Sequence, residues 1–432
     1  MKRTTKLVIN IFALTLVVFS LMQHGPHTRA ALAAHGETIS GGKELKLVSE
    51  YKKNTLLDIS ADGRLLLFYQ TSRPMSTFHI PLGSGKAKAD QPETFDRLLR
   101  VVERETGREV GHIGTPTPPR GTTFVPVTQQ VFYSEYEPRP QSRTVYKLWN
   151  FASGVARACF DHPREVGLGP PHFLDQNHAL LTVRHTDPNG EFRGTSFGKI
   201  SLPDCTLELG TIAADDLKNF PIGGLIALSP DRHYFAYTLR VSPDEVLVRE
   251  AATLKVIKRI EFPPGIYFGS PMYTPDGKRL MVPASNTMID NPETKRYLFF
   301  YDTTSYNLVK QLDITRSFTP SVMSDSPTQD STLVGNKMAI SPDGRLLAVA
   351  HEERREMRKL LFYETLDQAF ITLYDLENGE KLGSASYPQI KYNWENPFAA
   401  QIDFLAFTPD GKYLLSSTYD TRVWQIEDRN NS

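Results

Sequence analysis

Four polar residues stand where the surrounding pattern of the chain otherwise places small or apolar ones: Asp58, His172, Asn336 and Asp403. Carboxylates and an imidazole brought together can move protons or hold a divalent cation. Taken singly, such residues are more often satisfied by hydrogen bonds within their own scaffold. A second group, Tyr387, Tyr392, Trp394 and Phe398 with Asn393 and Asn396, fills residues 386–401. Flat aromatic faces beside amides suit contacts with a glycan, a peptide or a protein surface. Tyr392 and Trp394 are the binding candidates there.

Other chemistries leave little trace. His162, His172 and His185 have no metal-ligand spacing, and His351-Glu352 lacks the second histidine of a zinc-protease helix. No nucleophile elbow is read, so an appended hydrolase domain is not expected. A Gly-rich phosphate loop and a C-x-x-C-H haem site are missing. Neither metal nor cofactor is expected. With 49 basic and 49 acidic side chains, the chain lacks the charge excess that binding a nucleic-acid backbone uses.

The elements that must position these residues are short strands. Residues 337–350 read K-M-A-I-S-P-D-G-R-L-L-A-V-A, two apolar strands about a Pro-Asp-Gly turn, and residues 370–382 form a second hairpin about Glu377-Asn378-Gly379. Thr408-Pro409-Asp410-Gly411 follows Ser341-Pro342-Asp343-Gly344 by 67 residues, and Thr274-Pro275-Asp276-Gly277 precedes it by 67. Ser229-Pro230-Asp231 and Ser60-Ala61-Asp62-Gly63 extend the series. Degenerate turns at Thr128-Gln129-Gln130 and Asp175-Gln176-Asn177 make seven. The seventh unit has room for only three strands, and residues 43–51 are expected to supply the fourth. The pattern predicts an all-β, seven-bladed β-propeller of four-stranded antiparallel blades, closed by pairing N-terminal and C-terminal strands.

These S/T-P-D-G turns, with the pairs Tyr301-Asp302 and Tyr374-Asp375, resemble the WD-repeat-like, YVTN-type seven-bladed propellers of secreted bacterial proteins, within the amine-dehydrogenase-like superfamily. The resemblance spans residues 43–428 and implies fold, with no quinone cofactor or partner subunit. It departs from the eukaryotic WD pattern, since Trp424 precedes Gln425 rather than Asp.

Lining up the first strands of the units places Val125, Ala227, Met272, Ala339 and Ala406 at one level, where Asp58 and His172 replace them. Asn336 and Asp403 stand at strand entrances. Were Asp58, His172 and Asp403 to meet around an open channel, the chain would read as a propeller enzyme of lactonase or hydrolase type. The insertions, however, all fall between second and third strands or between units, on one face. Loops on a rigid scaffold carry function.

Residues 1–33 read as a signal peptide: Lys2, Arg3 and Lys6, an apolar run at 7–22, and Ala31-Leu32-Ala33 as a cleavage site. The run is shorter than the roughly 20 residues that span a bilayer. Cleavage leaves residues 34–432 as a single domain with 45 basic and 49 acidic side chains. Cys159 and Cys205, displaced by five residues relative to equivalent turns, are expected to stay unbonded. The reading is a secreted or periplasmic, non-catalytic monomer that binds a protein, peptide or glycan through its looped face. It binds no nucleic acid and makes no stable membrane insertion.

Overall fold

The computed structural model describes residues 43–71, 97–137, 143–162, 166–186, 191–209, 226–239, 245–262, 265–286, 294–315, 337–359, 362–391 and 401–428. Asn336, Tyr392 and Trp394 lie outside them. The described residues form seven antiparallel sheets in chain order, each built on four strands, and they contain no helix long and apolar enough to cross a membrane. Blade 1 is Asn54–Ile59, Leu65–Thr71, Arg97–Glu103 and Glu109–Gly114. Blade 7 is Phe404–Phe407, Tyr413–Ser417 and Thr421–Asp428, completed by the N-terminal strand Lys43–Tyr51, which pairs from Lys43↔Asp428 to Tyr51↔Thr421. This is the expected seven-bladed propeller.

The repeated turn follows from local hydrogen bonding. In five blades a Ser or Thr hydroxyl donates to the Asp two residues on, at 2.5–2.7 Å in Ser60–Asp62, Ser229–Asp231, Thr274–Asp276, Ser341–Asp343 and Thr408–Asp410. The same hydroxyl accepts the amide five residues on at 2.8–3.1 Å. The Asp carboxylate accepts the amide two residues after itself. Each clasp closes a hairpin with side chains instead of a longer loop. At the second hairpin, Asp302 and Asp375 accept two following amides apiece, which accounts for the Asp of the Tyr-Asp pairs. Gly63 shows how tightly the clasps abut: at φ +70° a Cβ there would sit 2.5 Å from Cδ of Pro409 in the turn of blade 7.

Burial lies between blades. Seven apolar clusters occupy the seven boundaries, the last joining Leu56, Leu66, Phe68 and Val102 of blade 1 to Leu415 and Val423 of blade 7. Leu67, Tyr69, Leu99 and Val101 of the same blade point the other way, to blade 2. The strand period of two therefore feeds two cores per blade, and second and third strands read as continuous apolar runs. The closing strand is locked by Arg422, which donates to Glu50 Oε1 at 3.0 and 2.9 Å and lies 4.1 Å over the ring of Tyr387. Tyr387 is thus not a looped-face aromatic. It is buried, with its hydroxyl 2.6 Å from Ser416.

Cys159 and Cys205 correct the sequence expectation: they are disulfide-bonded, with Cα atoms 4.8 Å apart. The expectation took the outer strands of neighbouring blades to be level. Cys159 sits at a bulge in Val155–His162, where Tyr146 pairs with Phe160 and Lys147 with Ala158, but one extra residue moves the chain only about 3 Å; the rest is stagger between the two blades. The bulged strand of blade 2 lies over the turn of blade 3, where Arg157 donates to the Leu202 carbonyl at 3.0 Å.

Candidate functional site

The first strands place one residue per blade at an equivalent level, defined by its partner on the second strand: Asp58↔Leu67, Thr123↔Phe132, His172↔Leu180, Ala227↔Ala236, Met272↔Met281, Ala339↔Ala348 and Ala406↔Leu415. Polar residues occupy this level in blades 1 to 3, and small or apolar ones in blades 4 to 7. Thr123, not Val125, is the member from blade 2. Aligning on Pro126, which matches Pro230, Pro275, Pro342 and Pro409, would have found it; the degenerate turn at Thr128 concealed it.

Asp58 reaches from blade 1 into blade 2. Its carboxylate accepts the Thr123 hydroxyl, the Phe124 amide at 2.8 Å and its neighbour's amide at Ile59, also 2.8 Å. Burial raises its pKa, and these three donors oppose the rise. His172 experiences the charge of Arg232 in blade 4. Burial first, then that guanidinium, lower its pKa to about 4, so the imidazole is neutral near pH 7. Arg232 itself occupies, at φ 64°, the turn position held by Gly63, Gly277, Gly344 and Gly411 in other blades.

Asp403 stands at the opposite end of its blade's first strand, with its amide bonded to the Ser417 carbonyl. Solvent reaches its side chain, yet the surrounding protein raises its pKa while Lys337 of blade 6 pulls the other way. Asp403 lies three residues further from its turn than Asp58 does, about 10 Å along a strand. No hydrogen bond joins Asp58, His172 and Asp403 among the described residues. Asp58 is held in one inter-blade gap, and the charge bearing on His172 comes from a different one. Among the described residues no group of three or more His, Cys, Asp or Glu is placed to hold a metal.

A Ser-His pair escaped the sequence reading. Gly194-Thr195-Ser196-Phe197-Gly198 spells G-x-S-x-G, and Ser196 Oγ lies 2.7 Å from His185 Nε2. The string lies inside the strand Phe192–Ser201 rather than at a strand-to-helix elbow. Its serine faces a cross-strand neighbour.

Connections divide the two faces. Turns between first and second and between third and fourth strands span four or five residues throughout. Connections longer than five residues, at 72–96, 210–226, 286–295, 314–337 and 387–403, all leave the opposite face. On the tight-turn face, a cleft of about 380 Å³ between blades 5 and 6 is floored by Phe300 and Leu376 and rimmed by Arg279, Arg345, Asp375 and Glu377. Its carboxylates are matched locally: Lys310 lies 3.6 Å from Glu377, and Asp375 caps its own turn.

No family model and no curated protein matches the chain. Solved structures do. An oligogalacturonate lyase in complex with manganese aligns at 11% identity over 92% of this chain and 99% of that one, with TM-score 0.54. An oligogalacturonate lyase from Vibrio parahaemolyticus aligns at 12% over 91% and 98%, with TM-score 0.51. TolB from Acinetobacter baumannii aligns at 15%, with TM-score 0.40, over 68% of this chain and 61% of TolB, under two thirds of that protein's length. The likeness is one of fold. Activities of these proteins do not pass to this chain at such identities.

Proposed function

We propose that this chain is an exported, non-catalytic propeller, of the YVTN-like kind its turns resemble, that binds a protein, peptide or glycan through the face carrying its long connections. The observation behind it is the division of the faces: every connection longer than five residues leaves one side of the ring, while Asp58 accepts three donors from its own fold. A rigid disc with one elaborated face is the form of a recognition module. Export accords with the Cys159–Cys205 bond, which persists in oxidising compartments.

The test is binding of the mature protein to arrays of glycans and peptides, followed by titration of each hit against Trp394→Ala and Tyr392→Ala. Loss of at least tenfold in affinity in either variant supports the reading. A hit that ignores both changes but is lost on altering Arg279 or Arg345 would move the site to the tight-turn face.

One observation favours a second reading. The 2.7 Å contact between Ser196 and His185 is the geometry of a nucleophile and its base, so a hydrolase activity would reside there rather than on Asp58, His172 and Asp403. Labelling by a fluorophosphonate probe, abolished in Ser196→Ala, would establish it; an unlabelled, folded protein removes it.

A further inference from the structure

On the tight-turn face, the boundary between blades 5 and 6 departs from its counterparts position by position. Five residues after the clasp hydroxyl, where the second strand begins, blades 1, 4, 6 and 7 carry Leu65, Tyr234, Leu346 and Tyr413, whereas blade 5 carries Arg279. At the boundary of blades 7 and 1 this position is packed: the guanidinium of Arg104 lies 5.3 Å from the ring centroid of Tyr413 and 3.8 Å from Asp410. Arg104 of blade 1 and Leu376 of blade 6 are equivalent, since each donates its amide to the carbonyl of the residue after the clasp glycine, Arg64 and Arg345 respectively. Between blades 5 and 6 the same two positions therefore hold Arg279 and Leu376. No ring is there to take the guanidinium, and the cleft of about 380 Å³ opens at this point.

Both guanidiniums on its rim lack an acceptor. Among the described residues neither Arg279 nor Arg345 makes a side-chain hydrogen bond or an ion pair. Their clasp aspartates, Asp276 and Asp343, act on them only through space, being held by the hydroxyl and amide donors of their own turns. The rim carboxylates are engaged as well: Asp375 Oδ1 accepts the amides of Glu377 and Asn378, and Glu377 lies 3.6 Å from Lys310. The floor is apolar, with Phe300 and Leu376 both buried. Gly344 leaves the rim open, since nothing lies within 4 Å of where its Cβ would stand. A concave apolar floor with a few polar groups is the composition of a small-ligand site. Planar guanidiniums are matched to oxyanions, which accept their paired N–H donors.

We propose that the cleft between blades 5 and 6 binds a small carboxylate with an apolar body, the carboxylate held by Arg279 and Arg345 and the body lying on Phe300 and Leu376. Asp375 and Glu377 on the same rim select one negative charge over two, because repulsion from them grows with the charge of the ligand. A carboxylate carries one charge near pH 7, and a phosphate monoester approaches two. This site is on the opposite face from the long connections. It goes beyond the binding reading and stands or falls separately from it.

Ligand-observed NMR titration of the mature chain tests it, with phenylacetate and cyclohexylacetate as the carboxylates, their primary amides as neutral counterparts, and phenyl phosphate as the more highly charged anion. The expected result is binding of both carboxylates, with the amides and phenyl phosphate at least tenfold weaker. Arg279→Leu installs the residue that blades 1 and 6 carry at this position. This variant and Arg345→Ala should each weaken carboxylate binding at least tenfold. Arg64→Ala, at the same turn position in blade 1, and Trp394→Ala, on the other face, should leave it unchanged. Circular dichroism and melting temperature matching the unaltered protein show that the blades remain folded in each variant. The proposal is overturned if neither carboxylate binds up to roughly 10 mM, the weak limit for a ligand of about ten heavy atoms. It is equally overturned if an amide or phenyl phosphate binds as tightly as the carboxylate, or if binding survives Arg279→Leu or Arg345→Ala.

Discussion

The carboxylate of Asp58 accepts the backbone amide of Phe124 at 2.8 Å across the boundary between blades 1 and 2, and the hydroxyl of Thr123 donates to the same oxygen. Removing it leaves an amide and a hydroxyl without their acceptor in a half-buried position. Asp58→Ala should therefore lower unfolding free energy by about 3 kcal/mol in urea titrations. Asp58→Asn keeps an acceptor and sheds a desolvated charge, and should cost less. Because burial raises the folded pKa above the unfolded value of about 3.9, the stability contribution of this group is full below that value and declines as pH rises through the folded pKa. The Asn variant should lose that decline. Equal losses for Ala and Asn would mean the ionised charge itself holds the clip.

The clasp aspartates titrate in the opposite sense. Burial pushes Asp62, Asp343 and Asp410 up, but the hydroxyl and amide donors outweigh it; at Asp231 and Asp276 the Ser229 and Thr274 hydroxyls are the leading cause. All five end below the ordinary carboxylate value. Their contribution is present above about pH 3.9 and is lost as pH falls through the depressed folded values. Melting temperature should fall steeply on acidification below pH 4, and Asp343→Asn should reduce both the slope and, by about 1 kcal/mol, the stability near pH 7. A melting temperature flat from pH 5 to 2 would contradict this.

Reduction of the Cys159–Cys205 bond, which closes a separation of 46 residues, should cost about 4 kcal/mol on the chain-entropy estimate. Cys159→Ser, Cys205→Ser and the double variant should lose nearly the same amount, since either change removes the whole cross-link. Denaturant midpoints with and without dithiothreitol give the comparison. Insensitivity of the unaltered protein to reductant would mean the link is not formed in solution.

Val127 holds φ 53° while 87% exposed. A β-branched side chain is strained there and packs on little that would be lost. Val127→Gly should raise stability by about 1 kcal/mol, the relief of backbone strain exceeding glycine's greater unfolded-state entropy. Thermal melts decide it, and a fall in melting temperature would mean that Val127 makes contacts that outweigh its strain.

What the sequence determined by itself is whatever closes within a few residues. Ser341 and Asp343 make their clasp two positions apart, Asp375 caps its own turn, and the apolar runs between such turns specify strands buried on both faces. Seven such units and a spare N-terminal strand leave a closed ring as the arrangement that hides every sheet face and pairs the last edge. Tertiary structure decided what passes between blades. Thr123 as the partner of Asp58, Arg232 as the charge on His172, and Tyr387 beneath Arg422 each depend on how one sheet is set against the next. The setting of blade 2's outer strand against the turn of blade 3 brings together two cysteines that level strands would hold apart. Local turn chemistry repeats and can be counted along the chain; the stagger and crossing of neighbouring sheets arise from the packing of side chains distant in sequence, which no period along the chain records.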